Sequence, residues 1–177
     1  MPKYRIVLVV LVFLNVLLAS RSGAEDVCGN ITQDTTWSLN ESPYVVTCDV
    51  TVDPSAILSI NPGVIVKFAA FYLFTVNGTL NAQGTAEQMI TFTSGRTPQK
   101  LGDWSEIYLT NLSGHSIFKY VRLEYSNNGL HAHTVSPTIE GSIFENNTYG
   151  IYLENGSDPV MKNNNTKNNL EQGIIIW

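Results

Sequence analysis

Along most of the chain after residue 25, apolar and polar residues alternate with a period of two. Val64, Val66 and Phe68 fall on one side of an extended segment, and so do Ile90 and Phe92. β-Branched and aromatic residues dominate these short runs, and Gly, Pro, Asn, Asp and Ser bound them. That is the signature of half-buried strands separated by turns. The pattern predicts strands at Tyr44–Thr47, Val50–Val52, Ile57–Ile60, Val64–Phe68, Phe74–Val76 and Ile90–Phe92. Further strands are predicted at Ile107–Leu109, Val121–Leu123, Ile151–Leu153 and Ile174–Ile176. Few windows keep an apolar stripe at the 3.6-residue spacing of a helix, so the fold class is all-β.

A longer period sits on top of this alternation. Phe118, Ile139 and Met161 are 21 and 22 residues apart. Val121, Ser142 and Asn164 follow at the same offset, then Leu123, Phe144 and Thr166, then Ser126, Asn147 and Asn169. Gly129, Gly150 and Gly173 close the unit, each followed by an apolar residue (Leu130, Ile151, Ile174). A repeat of about 22 residues with several short strands per unit predicts stacked coils. A single coil cannot bury its inward residues, but stacking places like on like. The glycines suit turns that need positive φ. The asparagines suit left-handed turns and predict ladders in which like residues one coil apart hydrogen-bond to each other. A leucine-rich repeat lacks its motif here. An antiparallel sandwich does not account for glycines and asparagines in register.

The N-terminus reads differently. Lys3 and Arg5 precede an apolar run from Ile6 to Leu18, followed by small residues at Ser22-Gly23-Ala24. This is the layout of a secretory signal peptide, and the run is short of the roughly 20 residues that span a bilayer. Residues 1–24 are therefore expected to be a signal peptide and 25–177 a β-helix domain. Within that domain, 25–56 form the N-terminal cap and first coil, and 57–177 the stacked coils. Export would permit a disulfide between Cys28 and Cys48, worth about 3 kcal/mol on the chain-entropy model. Two buried free thiols are the alternative. The expected localisation is secreted or cell surface, with membrane contact only through the signal sequence.

The unit Pro137-Thr-Ile-Glu-Gly-Ser-Ile-Phe-Glu-Asn-Asn-Thr-Tyr-Gly-Ile-Tyr-Leu153 resembles the loose coil consensus of the right-handed parallel β-helix, or pectin-lyase-like, superfamily. Asp34-Thr-Thr-Trp37 and Leu58-Ser-Ile-Asn-Pro-Gly-Val-Ile-Val-Lys-Phe68 resemble the opening coils of secreted microbial surface proteins of that type. So does Val76-Asn-Gly-Thr-Leu-Asn-Ala-Gln-Gly-Thr-Ala-Glu87. The resemblance implies a solenoid of about six to seven coils at this period. It does not imply one activity, because the fold hosts lyases, hydrolases, epimerases, adhesins and coat proteins. The strand at Ile174–Trp177 lacks a polar cap. The expectation is a fragment of a longer protein, or self-association through the C-terminal sheet edge.

Composition narrows the function. Only 14% of residues are charged and the formal net charge is −5, which speaks against a basic nucleic-acid-binding face. Two cysteines are too few for a four-cysteine zinc site. No nucleotide fingerprint or nucleophile elbow is found, and no cofactor is expected. Glu124 and Glu145 occupy matching repeat positions, so two carboxylates share an outer face; a solvated pair is the plainer reading. Paired carboxylates serve glycoside hydrolysis. The resemblance to pectate lyases also makes Arg122, beside Glu124, a weak candidate for a catalytic base. The adjacent aspartates and His-Gly of polygalacturonases are missing.

His131-Ala-His133 puts two imidazoles on one side of an extended segment, a weak metal site that His115 would have to complete. Exposed turn histidines are the plainer reading. Outward tyrosines, above all Tyr108 and Tyr152, are candidates for stacking on sugar rings, with Trp104, Tyr120, Tyr125 and Tyr149 behind them. Asn-x-Ser/Thr acceptors at Asn30, Asn77, Asn111, Asn146, Asn155 and Asn164 are candidate glycosylation sites. Together these features predict an exported β-helix with a structural, adhesive or glycan-binding role, its partners polysaccharide or cell-envelope components. The alternative is a polysaccharide lyase, hydrolase or epimerase whose catalytic coils lie partly beyond residue 177.

Overall fold

The computed structural model describes residues 23–113 and 115–177. The expected signal segment lies, but for its last two residues, outside the described residues. Strand β1 (Glu25–Ile31) precedes the first coil, which contains β2 (Thr35–Trp37) and β3 (Tyr44–Val52). The second coil contains β4 (Ile57–Ile60), β5 (Ile65–Phe68) and β6 (Phe74–Val76). The third contains β7 (Thr79–Gln83), β8 (Ile90–Ser94) and β9 (Trp104–Leu109). The fourth is β10 (Ile117–Lys119), β11 (Val121–Glu124) and β12 (Ser126–His133). The fifth is β13 (Thr138–Glu140), β14 (Ile143–Glu145) and β15 (Tyr149–Glu154), and the sixth β16 (Val160–Lys162), β17 (Asn165–Lys167) and β18 (Gln172–Ile176). Among the described residues the only helical turn is a 3₁₀ turn at Leu39–Glu41.

Every strand pair is parallel, which makes this a β-solenoid with three faces. Face one stacks β2, β4, β7, β10, β13 and β16. Face two stacks the first half of β3 with β5, β8, β11, β14 and β17. Face three stacks the second half of β3 with β6, β9, β12, β15 and β18. The sequence pattern suggests two strands at Tyr44–Thr47 and Val50–Val52, but β3 runs through both and joins faces two and three. The other side of β3 pairs with β1, adding a rung to those two faces.

The 22-residue period is the register itself. Phe118 pairs with Ile139 and Ile139 with Met161. Leu123, Phe144 and Thr166 stack on face two, and Leu130, Ile151 and Ile174 on face three. The inward residues form one continuous core, in which Phe68, Phe74, Phe92, Phe118 and Phe144 are fully buried. Each such side chain contributes about 1.5–3 kcal/mol relative to exposure.

The turns correct two expectations. The single left-handed residue between faces one and two is Tyr120 (φ 48°), then Gly141 (φ 59°), then Asn163 (φ 56°) on successive coils. Between faces two and three it is Tyr125 (φ 64°), Asn146 (φ 57°) and Asn168 (φ 55°). On the fifth and sixth coils the next residue (Ser142, Asn147, Asn164, Asn169) turns inward and bonds to backbone on the preceding coil. Asn147 Oδ1 accepts the Ser126 N–H (2.9 Å), and Asn169 Oδ1 accepts the Asn147 N–H (3.0 Å). The ladders therefore run from side chain to backbone, rather than from amide to amide. The repeated glycines lie within β12, β15 and β18 rather than in the turns between faces, and of the three Gly129 alone has the expected positive φ (59°). A Cβ on Gly129 would collide with the Gly150 carbonyl, and one on Gly150 with the Gly173 carbonyl. Close approach of the coils requires them.

Candidate functional site

On face three the alternation sends Ile107, Leu109, Leu130, Ala132, Ile151 and Leu153 inward. Tyr108, His131, His133, Tyr152 and Glu154 must then point outward. Register brings them together: Tyr108 pairs with His131, His131 with Tyr152, and His133 with Glu154. Sequence reasoning placed the two tyrosines outward but did not bring the histidine between them. The His131 ring lies 4.8 Å from that of Tyr108 and 4.7 Å from that of Tyr152, centroid to centroid. Tyr149 meets Tyr152 edge-on at 6.2 Å. Three coils thus contribute one aromatic ladder on an outer sheet surface.

Carboxylates hold the histidine at both ends. His131 Nδ1 is 3.3 Å from Glu106 Oε2, and Nε2 is 3.1 Å from Glu154 Oε2. The Asn128 amide also donates to Glu106 Oε2, while His133 Nδ1 lies 3.1 Å from Glu154 Oε2. A carboxylate only accepts hydrogen bonds, so the contacts at both ring nitrogens of His131 favour its protonated form, in which both donate. Burial alone would lower its pKa, but the hydrogen bonds and charges of Glu106 and Glu154 outweigh burial and hold it above the ordinary value. Hydrogen bonds from His133 and His131 lower the Glu154 pKa. Burial, with the charges of Glu154 and Glu106, raises that of Tyr108, which remains a neutral phenol and a hydrogen-bond donor.

The two histidines are therefore not exposed turn residues. They sit within β12, and the His131 side chain is only 13% exposed. His115 is exposed and is not among the hydrogen-bonding partners of His131. Among the described residues no group of three or more His, Cys, Asp or Glu side chains is arranged to hold a metal ion. Glu106 and Asn128 carried no role in the sequence reading. Glu154 was detectable there, because it follows His133 by 21 residues, one coil.

Glu124 and Glu145 do stack in register on face two, but not as a free solvated pair. Glu145 is only 6% exposed and is paired with Arg122 and with Lys167 Nζ at 3.2 Å. Glu124 accepts the Thr93 hydroxyl at 2.8 Å. Arg122 is thereby engaged in an ion pair with Glu145. Trp104 is buried: its ring stacks on Phe68 and its Nε1 donates to the Glu124 carbonyl. Tyr120 and Tyr125 occupy left-handed turns.

Cys28 and Cys48 form a disulfide between β1 and β3, with Cα atoms 4.9 Å apart. Of the glycosylation candidates, Asn30, Asn111 and Asn155 are exposed, and Asn77 and Asn146 are half-buried. Asn164 has its amide committed to the turn, accepting the Ser142 N–H and donating to the Ile139 carbonyl. A cavity of about 250 Å³ at the N-terminal end, lined by residues including Val27, Ile31, Trp37 and Val50, is separate from the aromatic ladder.

Two family models match. One, described as a right handed beta helix region, covers residues 79–177; the other, described as a pectate-lyase like beta helix domain, covers residues 29–114. No curated protein and no solved structure gives a significant match. Parallel three-faced stacking, the 22-residue register and a family model spanning more than half the chain agree: this protein belongs to the right-handed β-helix family.

Proposed function

We propose that this chain is an exported, cell-surface carbohydrate-binding β-helix whose binding surface is face three. The observation that carries the reading is the Tyr108–His131–Tyr152 ladder flanked by Glu106 and Glu154. Aromatic rings offer sugars an apolar surface, and carboxylates and amides accept or donate to their hydroxyl groups. A ladder held by strand register and by charge-assisted hydrogen bonds is preorganised, so little ordering cost remains at binding. The basic-then-apolar N-terminus, the Asn-x-Ser/Thr acceptors and the disulfide support export.

Binding fits this site better than hydrolysis. A glycosidase needs one carboxyl group that stays protonated as general acid. Hydrogen bonding from the histidines favours the ionised form of Glu154 instead. Titration calorimetry of the purified chain against a panel of oligosaccharides tests the reading. Saturable binding is expected, weakened about tenfold by Tyr108→Ala or Tyr152→Ala, in line with about 1.4 kcal/mol for a lost aromatic contact. The circular dichroism of both variants should match that of the parent. Absence of saturable binding, or variants that bind unchanged, would refute it.

A further inference from the structure

One of the matching family models carries pectate lyase in its description, and pectate is a chain of sugar acids. Face three is not built to receive acid groups. Its strands contain no lysine or arginine from β3 to β18. Among the described residues, Lys67, Lys119, Arg122, Lys162 and Lys167 all sit in strands of faces one and two. Arg96 and Lys100 lie in the loop between β8 and β9, where Arg96 is paired with Asp103 at 3.5 Å. Face three offers instead Glu106 and Glu154, whose shared partner is His131. An incoming carboxylate would find no unpaired guanidinium or ammonium in these strands. It would meet two carboxylates whose shared partner, His131, is already engaged at both ring nitrogens. Planar, bidentate recognition of a carboxylate is an arginine task.

Resting on the carbohydrate-binding reading, we infer that the ligand of face three is an uncharged glycan chain lying along the solenoid axis, and that polyuronates are excluded. The direction follows from the stacking. Tyr108 and Tyr152 are in register two coils apart, which is about 9.5 Å at the spacing of parallel strands. That matches the length of two sugar units of an extended chain, so alternate rings would meet the two tyrosines. Sugar hydroxyl groups donate to Glu106 and Glu154 and accept from the Asn128 amide and the Tyr108 phenol.

The test compares uncharged hexasaccharides (β-1,4-linked glucan, mannan, xylan and N-acetylglucosamine) with hexagalacturonate, with and without calcium. Calorimetry on the purified chain provides the readout. At least one uncharged hexasaccharide should bind at least tenfold tighter than hexagalacturonate under both conditions. Raising the salt concentration should narrow that gap by screening the repulsion. The double variant Glu106→Gln/Glu154→Gln, if its circular dichroism is native, should narrow it too. Hexagalacturonate binding as tightly as the best uncharged chain, with or without calcium, would overturn the inference and leave carbohydrate binding standing. A gap that salt leaves unchanged would overturn its electrostatic basis. No binding of any hexasaccharide would overturn the carbohydrate-binding reading as well.

Discussion

Asn147 lies wholly inside the solenoid, yet each polar atom of its amide has a partner on a neighbouring coil. Oδ1 accepts from the Ser126 N–H and hydroxyl, and Nδ2 donates to the Leu123 carbonyl. Truncation would strand these backbone groups away from water at about 1–3 kcal/mol for each unsatisfied group. Asn147→Ala is therefore expected to lower the unfolding free energy by about 3 kcal/mol, measured by urea titration. Thr148→Ala, at the half-buried residue next to it, should stay within about 0.5 kcal/mol. The recurrence of asparagine was plain in the sequence. Its role was not, because the chain order does not say whether an amide points at another amide or at backbone.

Within β9, β12 and β15, stability and charge are coupled through pH. His131 is held above its ordinary 6.5, so its contribution is complete below that value and is lost as pH rises through the folded-state pKa. Glu154 is held below its ordinary 4.5, so its contribution is complete above that value and is lost as pH falls through the folded-state pKa. Both contributions are complete together only between pH 4.5 and 6.5. The difference in melting temperature between the parent and His131→Gln/Glu154→Gln should peak in that window and shrink on either side. A difference that is flat with pH would mean the cluster stabilises by packing alone. The stacked pair Glu124 and Glu145 shows the limit of register as a guide. Repeat spacing brought the two carboxylates to one place, but Arg122 and Lys167 determine what that place is.

At the scale of the molecule the fold is nearly one-dimensional: each coil rests on its neighbours, and β1 touches the stack through β3. The Cys28–Cys48 bridge closes a separation of 20 residues and fastens that outer rung to the first coil. Cys28→Ser with Cys48→Ser should lower stability by about 3 kcal/mol on the chain-entropy model, read by denaturant unfolding under non-reducing conditions. Hydrogen exchange should speed up first in β1, since fraying in such a stack begins at its ends.

Alternation and the 22-residue repeat were enough to determine the all-β class, the parallel stacking, the coil count and the residues that face inward. Both are properties of spacing, and in a solenoid spacing along the chain becomes position in space. What surrounds each outward side chain was decided only by tertiary structure. The Tyr108–His131–Tyr152 ladder draws on three coils; Glu106, in register with Gly129, reaches His131 diagonally, and Asn128, which donates to Glu106, sits in the register shift between Ser126 and Gly129. Contacts of that kind depend on rotamers and on bulges, neither of which leaves a period in the sequence.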